Sequence, residues 1–295
     1  MGLFFSSDRF TRPGPGVRPD APRKKGVARL AEIMGRDMWN FFRAGFLAFL
    51  GCLPFIIGMF FAVETHALLF MLLAGIIGGL IAGPELSAMA DTVLRSLRDE
   101  PGYWWETYRR VWKRNARESL VPGMLTGLVL SMQIFTLFHM SVISAGIVTW
   151  VLLILSFVVT LGLESYIWPQ IALLDLPLYG ILKNSLLLFL GYLPRSLGAI
   201  AIKAVYWGAI LLFFPLTTII LPFTNFWLPM LPARLCVYQP LNKCFTIEST
   251  INKMREDELN AALAKDNEPL PEDPTEKAEE STEASSDDSS SDDVQ

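Results

Sequence analysis

The sequence predicts an all-α, polytopic membrane protein with about six transmembrane helices and cytoplasmic amphipathic helices. Of its residues, 52% are hydrophobic and only 18% are charged, whereas soluble domains carry about 25% charged residues. The mean hydropathy is +0.39. The apolar residues come in blocks long enough to cross a bilayer core, which takes roughly 20 residues of helix. The lipid bilayer is therefore the first partner that the sequence predicts.

The N-terminal residues 1–26 are predicted to form a disordered basic arm, because the Arg-Pro-Gly-Pro-Gly stretch at 12–16 cannot hold a helix. Apolar residues then recur at helical spacing across 27–42, with charged residues between them. This pattern predicts a short interfacial helix that leads into a membrane domain over 27–245.

Six apolar blocks predict spans at about 41–63, 67–89, 120–140, 147–171, 197–214 and 219–240. The second span contains Gly75, Gly79 and Gly83, and small residues on one face let two helices approach closely. The alternative is that glycine is simply common in membrane helices. The apolar segment 185–192 is too short to span and predicts a half-helix or surface helix. Several prolines leave the limits of the fifth and sixth spans open.

The predicted cytoplasmic loop 91–118 contains two amphipathic helices separated by a turn at 99–102. The second helix combines aromatic residues with basic residues that lie largely on the other face, which predicts a helix in the membrane interface that serves as a docking surface. A nucleic-acid interface is disfavoured because both neighbouring segments are spans. The predicted docking residues are Trp104, Trp105, Tyr108, Arg109, Arg110, Trp112, Lys113 and Arg117.

The C-terminal residues 246–295 are predicted to form an acidic disordered tail. The stretch from Glu256 to Gln295 holds 15 acidic and 2 basic residues, a net charge of −13, which leaves +9 for the rest of a chain whose net charge is −4. Such a segment lacks the apolar residues that would offset the entropy of ordering.

The distribution of basic residues predicts the orientation. Seven Lys and Arg residues lie in the 91–118 loop, and more precede the first span, whereas the three short loops on the other side have none. Because basic loops stay on the cytoplasmic side, we expect a multi-pass protein of the cell membrane with both termini in the cytoplasm.

Glu164 in the fourth predicted span and Lys203 in the fifth are ionisable residues that lie well inside the apolar blocks. Charges inside a bilayer are expensive and usually face the bundle interior. Their similar depth predicts an intramembrane charge pair, or a polar cluster shared with Arg195. The alternative is that Glu164 lies near the cytoplasmic end of its helix and extends toward water.

Motifs for catalysis or cofactor binding are missing from the sequence. It has no Gly-x-x-x-x-Gly-Lys-Ser/Thr loop and no His-Glu-x-x-His helix. His66 and His139 fall near the outer ends of separate spans and are predicted to be packed or solvated rather than metal ligands. We therefore expect no cofactor, no metal, no catalytic residue and no enzymatic activity.

Short motifs in the first two spans resemble those of a known family. Cys52-Leu53-Pro54, followed by Gly83-Pro84-Glu85-Leu86-Ser87-Ala88-Met89 and the basic-aromatic loop, resembles the YesL-like family of bacterial integral membrane proteins, a domain of unknown function. Glu85 stands where that family usually has a small residue. The resemblance covers roughly 30–243 and implies an accessory role in sugar uptake, because such genes often lie beside those of carbohydrate ABC transporters.

Two functions follow as hypotheses. The first is a non-enzymatic accessory or scaffold protein associated with a membrane complex such as a carbohydrate ABC transporter, with its permease or ATPase subunits as partners. The second is a transporter or divergent permease subunit that moves a small solute itself, with Glu164 and Lys203 lining the route. The spans contain few polar residues, chiefly Gln133, Glu164 and Lys203, and this scarcity favours the first hypothesis.

Overall fold

The computed structural model describes residues 23–100, 102–142 and 146–266. Most of the predicted N-terminal arm and the last 29 residues of the predicted tail lie outside this range. The described residues are helical apart from short turns and connections, and they contain no strand. The chain divides after Thr246 into two compact units, which are described separately.

Eight helices of the first unit can be placed within the described residues: α1 Gly26–Thr65, α2 Leu68–Arg98, α3 Trp104–Phe138, α4 Ile147–Leu173, α5 Leu178–Gly191, α6 Leu193–Leu212, α7 Thr217–Thr224 and α8 Trp227–Phe245. Five of them, α1, α2, α3, α4 and α6, are long and apolar enough to cross a membrane. This confirms the predicted all-α, polytopic membrane class.

The outer surface of the unit carries large apolar side chains. On α4, for example, Val151, Leu152 and Ile154 are 56%, 60% and 59% exposed. Such a face would be unfavourable in water, and it is the surface expected of a helix in contact with lipid tails.

The predicted surface helices are not separate elements. The segment 27–42 and the first span together form α1, which has 40 residues, and the basic-aromatic segment and the third span form the 35-residue α3. At a rise of about 1.5 Å per residue, both are much longer than a bilayer core is thick. The prediction of a separate helix for the basic-aromatic segment is therefore wrong. The reason is that no Gly or Pro between Lys113 and Leu120 ends the helix.

The loop 91–118 consequently contains the last turns of α2, which ends at Arg98, and the first turns of α3, which begins at Trp104, and we call this segment the hairpin. We call the first turns of α1 together with this hairpin the basic end of the unit. Its core is a cluster of buried apolar side chains from α1, α2, α3 and α8, among them Ile33, Phe41, Val93, Leu94, Tyr108 and Leu231.

The predicted sixth span, 219–240, is not one continuous helix. It is interrupted at Asn225, whose backbone has φ 24° and ψ −138°, and neither α7 nor α8 is among the five helices that could cross a membrane by length and composition. Pro222 and Pro229 flank the break, and each lacks the N–H that a continuous helix needs. Much of α8 is buried in the unit, including Met230, Leu231 and Val237.

The second unit begins with a helix, α9, over Ile247–Asp266. The prediction of disorder from residue 246 is therefore wrong for these 20 residues. The segment is polar but rich in Ala, Leu, Glu, Lys and Met, all of which have high helix propensity.

Candidate functional site

A cluster of charged side chains lies between α4, α6 and α8. Lys203 of α6 is 6% exposed, and its Nζ lies 3.1 Å from Glu164 Oε2 of α4 and 2.9 Å from Ser165 Oγ. The structure thus brings together the two residues predicted to pair. The side chain of Glu164 is 18% exposed, so it is largely shielded and does not extend freely toward water.

Arg234 of α8 is the third charge of this cluster. It is 3% exposed, and its Nη1 donates to the Ser165 carbonyl oxygen at 3.3 Å, while Nη2 lies 3.6 Å from Met230 Sδ. Its buried Nε has no hydrogen-bond partner. Arg195, the predicted third member, is exposed instead. We name Glu164, Lys203 and Arg234 with Ser165 the charge cluster.

The break at Asn225 sets the start of α8 and therefore the position of Arg234. Asn225 is fully buried. Its Oδ1 accepts a hydrogen bond from the Trp227 backbone N–H at 3.2 Å, and its Nδ2 donates to the Pro222 carbonyl at 3.1 Å. A Cβ at Gly45 of α1 would overlap the Asn225 side chain. Gly45 thus provides the space in which the amide caps the broken helix.

The predicted glycine face packs α2 against α3. A Cβ added at Gly79 would meet the Gly123 carbonyl, and one added at Gly83 would meet the Ser119 carbonyl. Gly75 faces Ser131 and Leu128 in the same way, while Gly123 and Gly127 lie against the backbone of α2. The glycines are therefore used for close backbone contact, as small residues are in membrane helix pairs.

The predicted docking residues divide into two groups. Tyr108 is 4% exposed, and Trp104 is partly buried against the core of the basic end, so neither is available as a docking surface. The exposed group comprises Trp105, Arg109, Arg110, Trp112, Lys113 and Arg117. The prediction that the aromatic residues share one face is thus only partly met, because Trp105 and Trp112 lie among the exposed bases.

Glu85 joins α2 to α3 at the same end. Its two carboxylate oxygens accept hydrogen bonds from Tyr108 Oη at 2.5 Å and from Trp112 Nε1 at 3.0 Å. A Cβ at Gly51 of α1 would overlap the Glu85 side chain. This carboxylate therefore links α2 to two side chains of α3.

An ion network ties α1 to the turn of the hairpin. Asp99 Oδ2 accepts from Arg29 Nη2 at 2.6 Å, and Oδ1 accepts from Arg36 Nη1 at 2.5 Å. Partial burial raises the pKa of Asp99, but the hydrogen bonds and charges of Arg36 and Arg29 outweigh it and lower this pKa below its ordinary value of 3.8. Next to the network lies a polar crevice of about 330 Å³ lined by residues that include Arg36, Asp99 and Trp104.

The two histidines meet at the opposite end of the helices. His66 Nδ1 lies 2.6 Å from His139 Nε2, and His139 Nδ1 lies 2.8 Å from the Phe135 carbonyl oxygen. In the part of the chain that the structure describes, no three metal-ligating side chains converge. The pair therefore links the α1–α2 turn to the end of α3.

Sequence reasoning missed Arg234, although this residue falls within the predicted sixth span. The sequence feature that could have identified it is an arginine within the otherwise apolar run 226–239. It also missed the roles of Glu85 and Asp99, because a carboxylate bound by residues far away in the chain leaves no local pattern.

Comparisons with known proteins add no relative to this picture. No protein-family model matches the chain, and searches of curated proteins and of solved structures find no match. The arrangement of the residues described above therefore carries the functional inference.

Proposed function

We propose that the protein is a non-enzymatic accessory or scaffold component that binds another membrane complex. The binding surface is the exposed face of the first turns of α3, within the hairpin. The observation that carries this proposal is the basic stripe formed by Arg109, Lys113 and Arg117, which are four residues apart and exposed. Within the described residues, none of the three forms a salt bridge. Trp105, which is 57% exposed, lies on the same side.

The chemistry of this surface indicates the kind of partner. Three neighbouring cations repel one another unless an acidic surface approaches them, and a mixed Trp and Arg surface is typical of binding hot spots. We therefore propose an acidic partner surface with an apolar pocket for Trp105. A carbohydrate ABC transporter, through its permease or ATPase subunit, is the partner that the family resemblance supports.

The test is affinity purification of the full chain from membranes in mild detergent. We expect a stoichiometric membrane partner with the wild-type chain, and its loss when Arg109, Lys113 and Arg117 are all replaced by Glu. The matched control is Lys183→Glu, which reverses one exposed charge on α5 and should leave the partner bound. Recovery of no membrane partner, or equal recovery with the triple variant, would refute the proposal.

A transporter is the second candidate, and the charge cluster beside the broken segment α7–α8 favours it. In many transporters, interrupted helices and buried charges form the substrate site. Reconstitution into proteoliposomes distinguishes the two functions. Sugar flux above that of empty liposomes, abolished by Lys203→Met, would support transport by the chain itself.

A further inference from the structure

The charge cluster is not electrically balanced. It holds two cations, Lys203 and Arg234, and one carboxylate, Glu164, so its formal net charge is +1. Both cations are more than nine-tenths buried. A buried charge that lacks its counter-ion is strongly destabilising, so the missing negative charge has to be accounted for.

Within the described residues, the salt bridge that Glu164 forms is with Lys203 and not with Arg234. Glu164 Oε2 lies 3.1 Å from Lys203 Nζ, and no carboxylate among the described residues forms a salt bridge with Arg234. Arg234 instead donates to one backbone oxygen at 3.3 Å and contacts one thioether sulfur at 3.6 Å, and neither acceptor carries a negative charge. A guanidinium has five N–H donors, and the Nε–H of Arg234 is buried without an acceptor.

From this imbalance we infer that α4, α6 and α8 bind a small monovalent anion at the charge cluster, with Arg234 as its main ligand and Lys203 as the second cation. One negative charge neutralises the cluster, and an anion beside Nε supplies the acceptor that this donor lacks. The ligand is small because Lys203 and Arg234, which would contact it, are themselves 6% and 3% exposed. This inference is independent of the docking surface, which lies on α3.

The test compares chloride with gluconate, a bulky anion, at constant ionic strength. The purified full chain in detergent is heated, and unfolding is followed by tryptophan fluorescence. We expect the unfolding temperature to rise with chloride concentration and to saturate, because a ligand that binds only the folded state stabilises it. Equal unfolding temperatures in chloride and gluconate at every concentration would overturn the inference.

Substitutions then locate the site. Arg234→Gln should weaken chloride binding by on the order of tenfold or more, the size expected when a charged hydrogen-bond donor is lost. Lys183→Gln, which removes an exposed cation on α5, should leave the chloride response unchanged. An unaltered response in Arg234→Gln would place the anion elsewhere and refute the assignment.

Glu164→Gln provides a second variant with the opposite expected effect. It raises the net charge of the cluster to +2, so chloride should bind more tightly than in the wild type. Equilibrium binding of radiolabelled chloride measures this affinity directly and does not depend on whether Arg234→Gln folds. Weaker or unchanged binding in Glu164→Gln would contradict an anion at this cluster.

Discussion

At the scale of single residues, Glu164 has two cationic neighbours and Lys203 has one anionic neighbour. The Glu164 carboxylate and the Lys203 ammonium are 3.1 Å apart, and Arg234 donates to the backbone carbonyl of Ser165, the residue after Glu164. The loss of the carboxylate therefore leaves two buried cations together, whereas the loss of the lysine leaves one carboxylate and one guanidinium. The two single substitutions should for this reason differ in cost.

We predict that Glu164→Gln lowers the free energy of unfolding by about 3 kcal/mol or more, the cost of breaking a buried ion pair, and that Lys203→Met lowers it by less. The double variant should recover part of the summed loss. Unfolding of the four proteins in mixed micelles provides the double-mutant cycle. Strictly additive losses would mean that the two residues do not interact directly.

A second residue-scale prediction concerns Asp99, whose backbone lies in the left-handed region at φ 60° and ψ 35°. Asn is well tolerated there, so Asp99→Asn removes the charge without adding backbone strain. At neutral pH the variant should unfold at a lower temperature than the wild type, because Arg29 and Arg36 lose their shared carboxylate.

The pH dependence of this difference follows from the lowered pKa of Asp99. A carboxylate whose pKa is lowered by folding stabilises the protein above its ordinary pKa of 3.8 and loses that effect as the pH falls through the lowered value. The gap between wild type and Asp99→Asn should therefore be constant near neutral pH and close below 3.8. A gap that persisted at the lowest pH would show that the carboxylate's charge is not responsible.

At the scale of elements, the contact between α2 and α3 depends on glycine. We predict that Gly79→Ala destabilises the protein by about 1–3 kcal/mol, the usual cost of overpacking, because the added methyl group meets the Gly123 carbonyl. Gly208→Ala on α6 is the matched control, since nothing lies within 4 Å of a Cβ there. It should be neutral or stabilise by up to about 1 kcal/mol.

These two variants can be compared by thermal unfolding in the same detergent. A Gly79→Ala protein as stable as Gly208→Ala would show that the glycine face is not used for packing. It would also favour the view that glycine is there only because it is common in membrane helices.

Local patterns in the sequence predicted most of the helices. Apolar blocks and glycine spacing are read within one helix, and α4 and α6 lie within a few residues of their predicted limits. The continuity of α1 and α3 was missed because a change from polar to apolar residues does not by itself end a helix. Arg234 and Glu85 were missed because their roles depend on contacts with other helices, which the order of residues along the chain does not reveal.

At the scale of the whole membrane unit, the broken segment α7–α8 brings the chain back to the start of α6. Tyr192 Oη, just before α6, lies 3.6 Å from Cys244 Sγ near the end of α8. If only the five long helices crossed the membrane, the chain would cross it an odd number of times. The end of α6 would then lie on the side opposite to the start of α1. The contact between Tyr192 and Cys244 shows that the end of α8 lies at the level at which α6 begins.

We therefore predict that both termini lie on the cytoplasmic side, in agreement with the basic residues near the start of α1 and in the hairpin. A reporter enzyme that is active only outside the cytoplasm should be active when fused after Ser141, between α3 and α4, or after Phe213, which follows α6. It should be inactive when fused after Thr246 or at the C-terminus. A cytoplasm-specific reporter at the same four positions should give the complementary result. Activity of the outside reporter after both Phe213 and Thr246 would mean that α7–α8 does not return across the bilayer. Activity of that reporter at the C-terminus but not after Ser141 would mean that the orientation is the reverse of the predicted one.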